Sequence, residues 1–146
     1  MTSEELKTAA ERIWKDVFEN GNLSVLDQLY ADGVILHQAE QPVASGLAAY
    51  KQQLTGLRAS FSDIQFSFDE MVLEGDRGVG RWRMSATHTG QLPHIPIPPT
   101  GKRVTITGLT LSHMANGMVL EAWEYTDMMG LMQQLGVIPP MGQPGK

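Results

Sequence analysis

One acidic side chain stands out because its neighbours along a predicted strand are apolar. Strand alternation places Glu124 on the same face as Leu120 and Ala122. A glutamate is rarely buried without a partner, so a carboxylate on such a face is informative. Desolvation raises the pKa of a buried carboxyl towards neutrality, which suits a general base or a general acid. The alternative is a structural glutamate that pairs with an arginine or lies at the edge of the sheet.

His88 is the second candidate for acid–base chemistry. Strand alternation places it on the same face as Trp82 and Met84, immediately before a loop that contains four prolines. From that position a histidine could exchange a proton with a substrate or donate a hydrogen bond to a substrate carbonyl. The alternative is a histidine at the edge of the core that is hydrogen-bonded to the backbone.

The other three histidines have less specific sequence contexts. His37 ends a short apolar run, where it either lines a pocket or packs at the end of a strand. His94 lies in the proline-rich loop and contacts either a ligand or solvent, whereas His113 is expected at the surface near a hairpin. No two histidines have the spacing of a His-x-His pair or a His-Glu-x-x-His motif, so we predict no metal site.

Aromatic and methionine side chains could form an apolar binding site. Trp14, Tyr50 and Trp82 fall on the apolar faces of predicted elements, where they could line a pocket for a planar substrate. An aromatic stripe at helical spacing is more often part of the core, which is the alternative for these residues. Met128 begins a methionine-rich segment that could form an adaptable lid over the same pocket.

The elements that must position these residues are helices first and strands afterwards. Apolar residues at helical spacing predict an amphipathic helix over residues 3–20, with Thr2 as its cap. A short helix over 23–29 with Asn22 as its cap is also predicted, and a third helix opens at Gly46. The segments predicted to be strands are 34–37, 64–73, 78–89, a segment that starts at residue 104, and 118–126.

Three short motifs predict how these segments bend and end. Gly108 lies where the apolar positions change face, which predicts a β-bulge. Asn116 and Gly117 predict a hairpin with a type I′ turn, and Asp127 is placed to cap a short final helix. The order of the elements predicts an α+β fold, in which helices pack on one face of a curved, mainly antiparallel sheet.

Length and composition are typical of one soluble domain. The chain has 146 residues, a net charge of −5 and no cysteine, which excludes disulfides and thiolate chemistry. The acidic balance argues against nucleic acid as a partner, and the chain lacks the run of about 18 apolar residues that a membrane span requires. We expect a domain over 1–140, a flexible tail over 141–146 and, without a signal peptide, a cytoplasmic location.

Four segments of the chain are informative when taken together: GNLSVLDQLYADGVILH at 21–37, THTG at 87–90, PPTGKRV at 98–104 and WEYTDMMGLMQQLG at 123–136. In combination they resemble the SnoaL-like polyketide cyclases, also called ester cyclases. They occur in the family's order and extend over nearly the whole chain. The resemblance implies the nuclear-transport-factor-2-like fold, a cone-shaped α+β barrel whose bent sheet and N-terminal helices enclose one apolar pocket.

The resemblance also implies roles for particular positions. The family's acid–base carboxylate lies three residues before the aspartate that precedes the final helix. Glu124 and Asp127 match that spacing, with a glutamate in place of the usual aspartate. Where many relatives carry histidines, this chain has Ala122 and Thr110. Characterised members close a ring of a polyketide ester by intramolecular aldol condensation without metal or cofactor, and members usually form dimers.

These observations predict a cofactor-free enzyme that acts on a small, mostly apolar carbonyl compound. Glu124 would be the general acid–base and His88 its helper. Two alternatives use the same pocket: non-catalytic binding of a hydrophobic ligand, and hydrolysis or isomerisation. A homodimer is also expected, because Trp123 and Tyr125 give the outward face of the sheet an apolar area that a second copy could cover.

Overall fold

A long amphipathic helix opens the structure, a computed structural model that describes residues 2–93 and 95–139. Helix α1 spans Ser3–Asn20, as the apolar spacing predicts. The side chain of Thr2 accepts a hydrogen bond of 3.1 Å from the backbone N–H of Glu5, which caps the first turn. Gly21 ends the helix with a φ of 74°, a conformation that favours glycine. The predicted tail over 141–146 lies outside the described residues.

Two shorter helical segments follow α1 in the N-terminal half. A 3-10 helix, Leu23–Gln28, forms where a short helix is predicted. The side chain of Asn22 does not cap it, because its Oδ1 accepts a hydrogen bond of 2.8 Å from the hydroxyl of Ser24 and not from a backbone N–H, while its Nδ2 donates one of 2.9 Å to Asp16 of α1; the predicted cap is wrong. Helix α2 spans Leu47–Ser60 and begins directly after Gly46, as predicted.

Six strands form one curved sheet. Their bounds are β1 Tyr30–Gln38, β2 Gln41–Ser45, β3 Phe61–Glu74, β4 Arg77–His88, β5 Arg103–Ala115 and β6 Met118–Thr126. The spatial order is β2-β1-β6-β5-β4-β3. Every neighbouring pair is antiparallel except β1 and β6, which run parallel. The predicted α+β class is therefore confirmed, and Glu124 lies on an interior strand.

The turns of the C-terminal half follow their local motifs. Asn116 and Gly117 have φ values of 52° and 76°, as a type I′ hairpin requires. Asp127 accepts a hydrogen bond of 2.9 Å from the N–H of Gly130 and so caps helix α3, Met128–Gln134. Among the described residues, no helix is both long enough and apolar enough to cross a membrane.

The strands differ from the sequence prediction in three details. Strand β2 was not predicted, since it is an edge strand of five residues that includes a proline. Gly108 forms no bulge, because the pairing of β4 with β5 runs through it without a shift. The bulge lies in β6, where Leu120 is an extra residue opposite the step from His113 to Met114. Leu120 is therefore 46% exposed and does not share the face of Glu124.

The core lies between the inner face of the sheet and helices α1 and α2. Trp14 and Phe18 of α1 stack with ring centroids 5.5 Å apart, and Phe18 stacks on Phe66 of β3 at 5.1 Å. Lys15 donates a hydrogen bond of 2.7 Å to the carbonyl of Phe66. Glu19 accepts one of 2.9 Å from the N–H of the same residue. These contacts hold α1 against the edge strand β3.

Candidate active site

A cavity of about 830 Å³ lies between the inner face of the sheet and helices α1 and α2. Its size falls within the roughly 300–1,000 Å³ that is usual for small-molecule sites. Much of its wall is aromatic, from Trp14, Phe18, Tyr30, Tyr50, Phe66 and Trp82. Leu92, Pro93 and Ile95 of the loop between β4 and β5 also line it. The fold therefore encloses a site for a largely apolar small molecule.

Glu124 is the one carboxylate that lines this cavity among the described residues. It is half-buried, and no lysine or arginine of the described chain forms an ion pair with it. The hydroxyl of Tyr50 on α2 donates a hydrogen bond of 2.8 Å to Oε1 of Glu124. No described residue hydrogen-bonds to Oε2, so this oxygen is available to a ligand.

The surroundings of Glu124 tune its acidity and that of two phenols. Burial raises the pKa of Glu124 above its ordinary value, and the hydrogen bond from Tyr50 offsets part of that rise. Burial, followed by the negative charge of Glu124, raises the pKa of both Tyr30 and Tyr50. Both phenols are therefore protonated at neutral pH, and Tyr50 remains a hydrogen-bond donor to the carboxylate.

A hydroxyl lies beside Glu124 on the inner face of the sheet. Thr110 of β5 is directly opposite Glu124 in the strand register, which places the two Cβ atoms roughly 4.5–5.5 Å apart. The indole Nε1 of Trp82 donates a hydrogen bond of 3.0 Å to Oγ1 of Thr110. Gly108 makes room for that indole, since a Cβ there would overlap the Trp82 ring and lie 2.7 Å from the carbonyl of Tyr125.

Four of the residues predicted to contact a substrate line the cavity together with Glu124: Trp14, Tyr50, Trp82 and Met128. Two of them have a further contact that the sequence did not suggest. Tyr50 bonds directly to the Glu124 carboxyl, and Trp82 bonds to Thr110. Met128 lies at the start of α3 and is 39% exposed.

His37 lies away from the cavity, on the outer face of the sheet. Val34 and Leu36 of β1 are buried on the inner side, so alternation directs His37 outwards. Its ring stacks on Trp123 at a centroid distance of 4.9 Å, and its Nε2 lies 2.7 Å from Oε2 of Glu121. The structure thus gives His37 a packing role in place of the predicted substrate contact.

His88 is also separated from the cavity, although it lies on the inner face as predicted. Its side chain is fully buried beside Phe61, with ring centroids 5.7 Å apart. Its Nδ1 accepts a hydrogen bond of 3.2 Å from the N–H of Thr100, which leaves the ring proton on Nε2. Nε2 has no partner among the described residues. His88 therefore fastens the loop between β4 and β5 and does not contact Glu124.

Of the two remaining histidines, the structure describes only His113, which does not line the cavity. His94 lies outside the described residues. His113 packs against Trp123 on the outer face, with ring centroids 4.7 Å apart. Among residues 2–93 and 95–139, no group of three histidine, aspartate or glutamate side chains could hold a metal ion.

Tyr30 is a further residue of the cavity wall that was not predicted from the sequence, and its ring lies 5.7 Å from that of Tyr50. The strand prediction begins four residues later, at Val34, because Asp32 and Gly33 look like a turn. An aromatic residue is favoured in strands, and this preference is the signal that could have extended β1 back to Tyr30.

The curved sheet and helices around one apolar, carboxylate-bearing cavity define the cone-shaped α+β class of proteins. Within that class, residues 8–135 match the family model described as SnoaL-like polyketide cyclase. Because this match covers most of the chain, the protein belongs to the SnoaL-like polyketide cyclase family. No curated protein matches the chain significantly.

Solved structures share the architecture at low sequence identity. TsrD from Streptomyces laurentii has a TM-score of 0.83 and 20% identity, over 94% of this chain and 99% of that one. AclR, a candidate hydroxylase from Streptomyces galilaeus, has a TM-score of 0.81 and 24% identity, over 97% and 87%. A candidate polyketide cyclase from Acidithiobacillus ferrooxidans has a TM-score of 0.76 and 26% identity, over 93% and 97%. These similarities establish the fold.

Proposed function

We propose that the protein is a cofactor-free acid–base enzyme that closes a ring in an apolar carbonyl compound by intramolecular aldol chemistry. The observation that carries this proposal is the Glu124 carboxyl, whose pKa is raised by burial and which has one uncommitted oxygen in an apolar cavity. Family membership supports the reaction class. Tyr50 holds the carboxyl, and Trp14, Trp82 and Met128 provide the wall against which the substrate packs.

One carboxyl group can serve both halves of this reaction. Ionised Glu124 removes a proton from the carbon next to a substrate carbonyl. The C–H electron pair forms a double bond to the carbonyl carbon, and the carbonyl oxygen takes the negative charge of the resulting enolate. The enolate carbon then bonds to a second carbonyl carbon of the same molecule, whose oxygen becomes an alkoxide. The alkoxide takes back the proton from Glu124. Acid–base catalysis of this kind contributes about 10²–10⁴-fold, and holding the two carbonyls together in the cavity contributes further.

Non-catalytic ligand binding is the main alternative, and the environment of Glu124 argues against it. A carboxylate with only a structural role is expected to have a cationic partner, because an unpaired buried charge is costly. Glu124 has none among the described residues; it has a neutral phenol donor and a free oxygen. A carboxyl with one neutral donor and one unbonded oxygen can act as a base, although its burial without a cation lowers the stability of the folded protein.

Hydrolysis or isomerisation in the same cavity is the third possibility. Such reactions commonly employ several polar groups around one water molecule, or two carboxylates with different pKa values. Glu124 is the one carboxylate in the described cavity wall, and the hydroxyl groups placed beside it, those of Tyr50 and Thr110, are neutral. A single shuttling carboxyl is sufficient for aldol closure, so we favour that reaction.

Proton abstraction can be tested without knowledge of the natural substrate. β-Tetralone is a bicyclic aromatic ketone of suitable polarity, and its acidic α-protons exchange with deuterium in heavy water at a rate that NMR measures directly. We expect the protein to accelerate this exchange. Glu124→Gln should abolish the acceleration, because it preserves the side-chain shape and removes the base.

The matched control is Glu121→Gln, which makes the same change on the same strand but on the outer face, beside His37. It should retain wild-type exchange. A Glu124→Gln variant that exchanges β-tetralone at the wild-type rate would exclude Glu124 as the base. A wild-type protein that binds β-tetralone but leaves its exchange rate unchanged would favour the ligand-binding alternative.

A further inference from the structure

The hydroxyl of Thr110 already forms one hydrogen bond within the protein, and this bond fixes its orientation. Oγ1 accepts the hydrogen bond of 3.0 Å from Nε1 of Trp82, which uses one lone pair of the hydroxyl oxygen. The hydroxyl proton must then point away from the indole. No described residue accepts a hydrogen bond from it, and Thr110 lines the cavity. The protein thus presents an O–H donor to whatever occupies the cavity.

This donor stands next to the base. Thr110 and Glu124 are direct cross-strand partners on the inner face, so the hydroxyl and the carboxyl approach one ligand from adjacent positions. Abstraction of a proton next to a carbonyl transfers negative charge to the carbonyl oxygen, two bonds from the carbon that loses the proton. A donor beside the base is therefore in position to receive that charge.

The hydroxyl of Tyr50, which also lies near Glu124, is already committed to a hydrogen bond. Tyr50 donates its proton to Oε1 of the carboxyl, so it fixes the base and is not free to bind the substrate oxygen while that bond persists. Lys7 is the one cationic side chain in the described cavity wall, and it bonds to Glu4 at 3.3 Å. Thr110, the direct cross-strand neighbour of Glu124, therefore remains a donor that can bind a substrate oxygen beside the base.

The orientation of the Thr110 hydroxyl depends on two further residues, Trp82 and Gly108. Trp82 is the register partner of Gly108, and its indole occupies the space that a side chain at Gly108 would fill. From there Nε1 reaches Thr110, two residues further along β5. Gly108 therefore positions Trp82, and Trp82 in turn orients the hydroxyl of Thr110.

We propose that Thr110 is a further catalytic residue, which donates its hydroxyl hydrogen bond to the enolate oxygen formed when Glu124 removes the neighbouring proton, and that Trp82 is its positioning residue. This inference rests on the proposed function for the identity of the base. The hydroxyl keeps its own proton throughout, so the proton and electron balance of the aldol steps is unchanged. The donor selects substrates in which a carbonyl oxygen can reach Thr110 while the α-carbon faces Glu124.

The first experiment measures β-tetralone exchange in Thr110 variants. Thr110→Val keeps the shape and removes the donor, and we expect kcat to fall on the order of 10²-fold with little change in KM, since the bond strengthens as charge develops. Thr110→Ser restores a hydroxyl and should recover most of the rate. Thr107→Val makes the same substitution on the outer side of β5, outside the cavity wall, and should match wild type.

The second experiment detects the donor without any catalysis. β-Naphthol has the shape of the enol of β-tetralone, and its absorbance reports whether its hydroxyl is ionised. In Glu124→Gln, which represents the protonated base, the Thr110 hydroxyl should stabilise bound naphtholate. Adding Thr110→Val should raise the pKa of the bound naphthol by about one unit, and Thr110→Ser should restore it. Trp82→Phe, which removes only the indole N–H, should give a smaller upward shift.

The outcomes separate the two proposals. If Thr110→Val exchanges like wild type and leaves the bound naphthol unchanged, the role of Thr110 is wrong and that of Glu124 stands. If naphthol fails to bind, the enolate geometry inferred for this cavity is wrong. If Glu124→Gln keeps full exchange activity, the proposed function fails, whereas a Thr110-dependent shift of the naphthol pKa still supports the donor.

Discussion

The hydroxyl of Tyr50 lies 2.8 Å from Oε1 of Glu124 and joins helix α2 to the interior strand β6. The two residues are 74 positions apart in the chain, so only the packing of α2 over the sheet creates this pair. The bond stabilises the ionised carboxylate and partly opposes the effect of burial on its pKa. The acidity of the candidate base is therefore set jointly by a strand and a helix.

Removal of the Tyr50 hydroxyl should raise the pKa of Glu124 further. Tyr50→Phe keeps the ring and deletes the donor, so burial acts on the carboxyl without its main compensation. We expect the pH profile of β-tetralone exchange to shift to higher pH, because the base ionises later. Carbon NMR of the isotope-labelled Glu124 carboxyl gives the same titration directly. A midpoint that is unchanged or lower would contradict the role of this bond.

Glu124 should make the stability of the protein depend on pH in a defined direction. Its pKa is higher in the folded state than in the unfolded chain, so over the interval between the two values the folded state holds more protons. The free energy of unfolding should therefore fall, relative to Glu124→Gln, as pH rises from the ordinary glutamate range through the raised pKa. Urea denaturation of both proteins across that range measures the difference. A constant difference, or one of opposite sign, would rule out a raised pKa.

The pair Lys15 and Glu19 should stabilise the docking of α1 on β3. Both side chains bond to the backbone of Phe66, where the edge strand would otherwise present unpaired groups to water. Glu19→Ala should lower the free energy of unfolding by about 1 kcal/mol, since the contact is partly exposed. Glu11→Ala on the same helix is the control and should change it by less than about 0.5 kcal/mol. Equal effects in the two variants would show that the backbone contact contributes nothing.

Gly108 should tolerate no side chain. In Gly108→Ala the added Cβ would overlap the Trp82 indole and lie 2.7 Å from the carbonyl oxygen of Tyr125, so backbone and ring must move. We expect a loss of about 1–3 kcal/mol in the free energy of unfolding and a changed Trp82 fluorescence. Gly33→Ala is the control, because a Cβ at Gly33 meets no atom within 4 Å. Equal stability of the two variants would contradict the close packing at Gly108.

Homodimer formation through the outer face of the sheet remains a prediction. Leu109, Leu111 and Tyr125 are 47%, 38% and 49% exposed, and they adjoin one another and Trp123 across β5 and β6. A charge at the centre of this patch should prevent pairing, so Leu111→Glu is expected to be a monomer in sedimentation at micromolar concentration. Met129→Lys, on exposed α3, should leave the assembly unchanged. A wild-type monomer would overturn the prediction.

Most features that depend on neighbouring residues were predicted correctly from the sequence, although the cap at Asn22 and the bulge at Gly108 were not. The cap at Thr2, the hairpin at Asn116 and Gly117, and the cap at Asp127 follow from backbone preferences that act over a few residues. Helical and strand periodicities likewise predicted α1, α2 and the long strands. The failures, such as strand β2 and the bulge at Leu120, are features stabilised by pairing with a distant strand.

The amino-acid sequence alone was sufficient to predict the fold class, the family and the candidate carboxylate, because periodicity, local motifs and residue type are present in the chain before it folds. The surroundings of Glu124 depend instead on how the folded chain packs. This packing brought Tyr50 and Thr110 to the carboxyl and kept the cavity open, whereas His37 and His88 were directed elsewhere. Contacts between residues far apart in the chain depend on how sheet and helices pack, and no local pattern encodes that distance or direction.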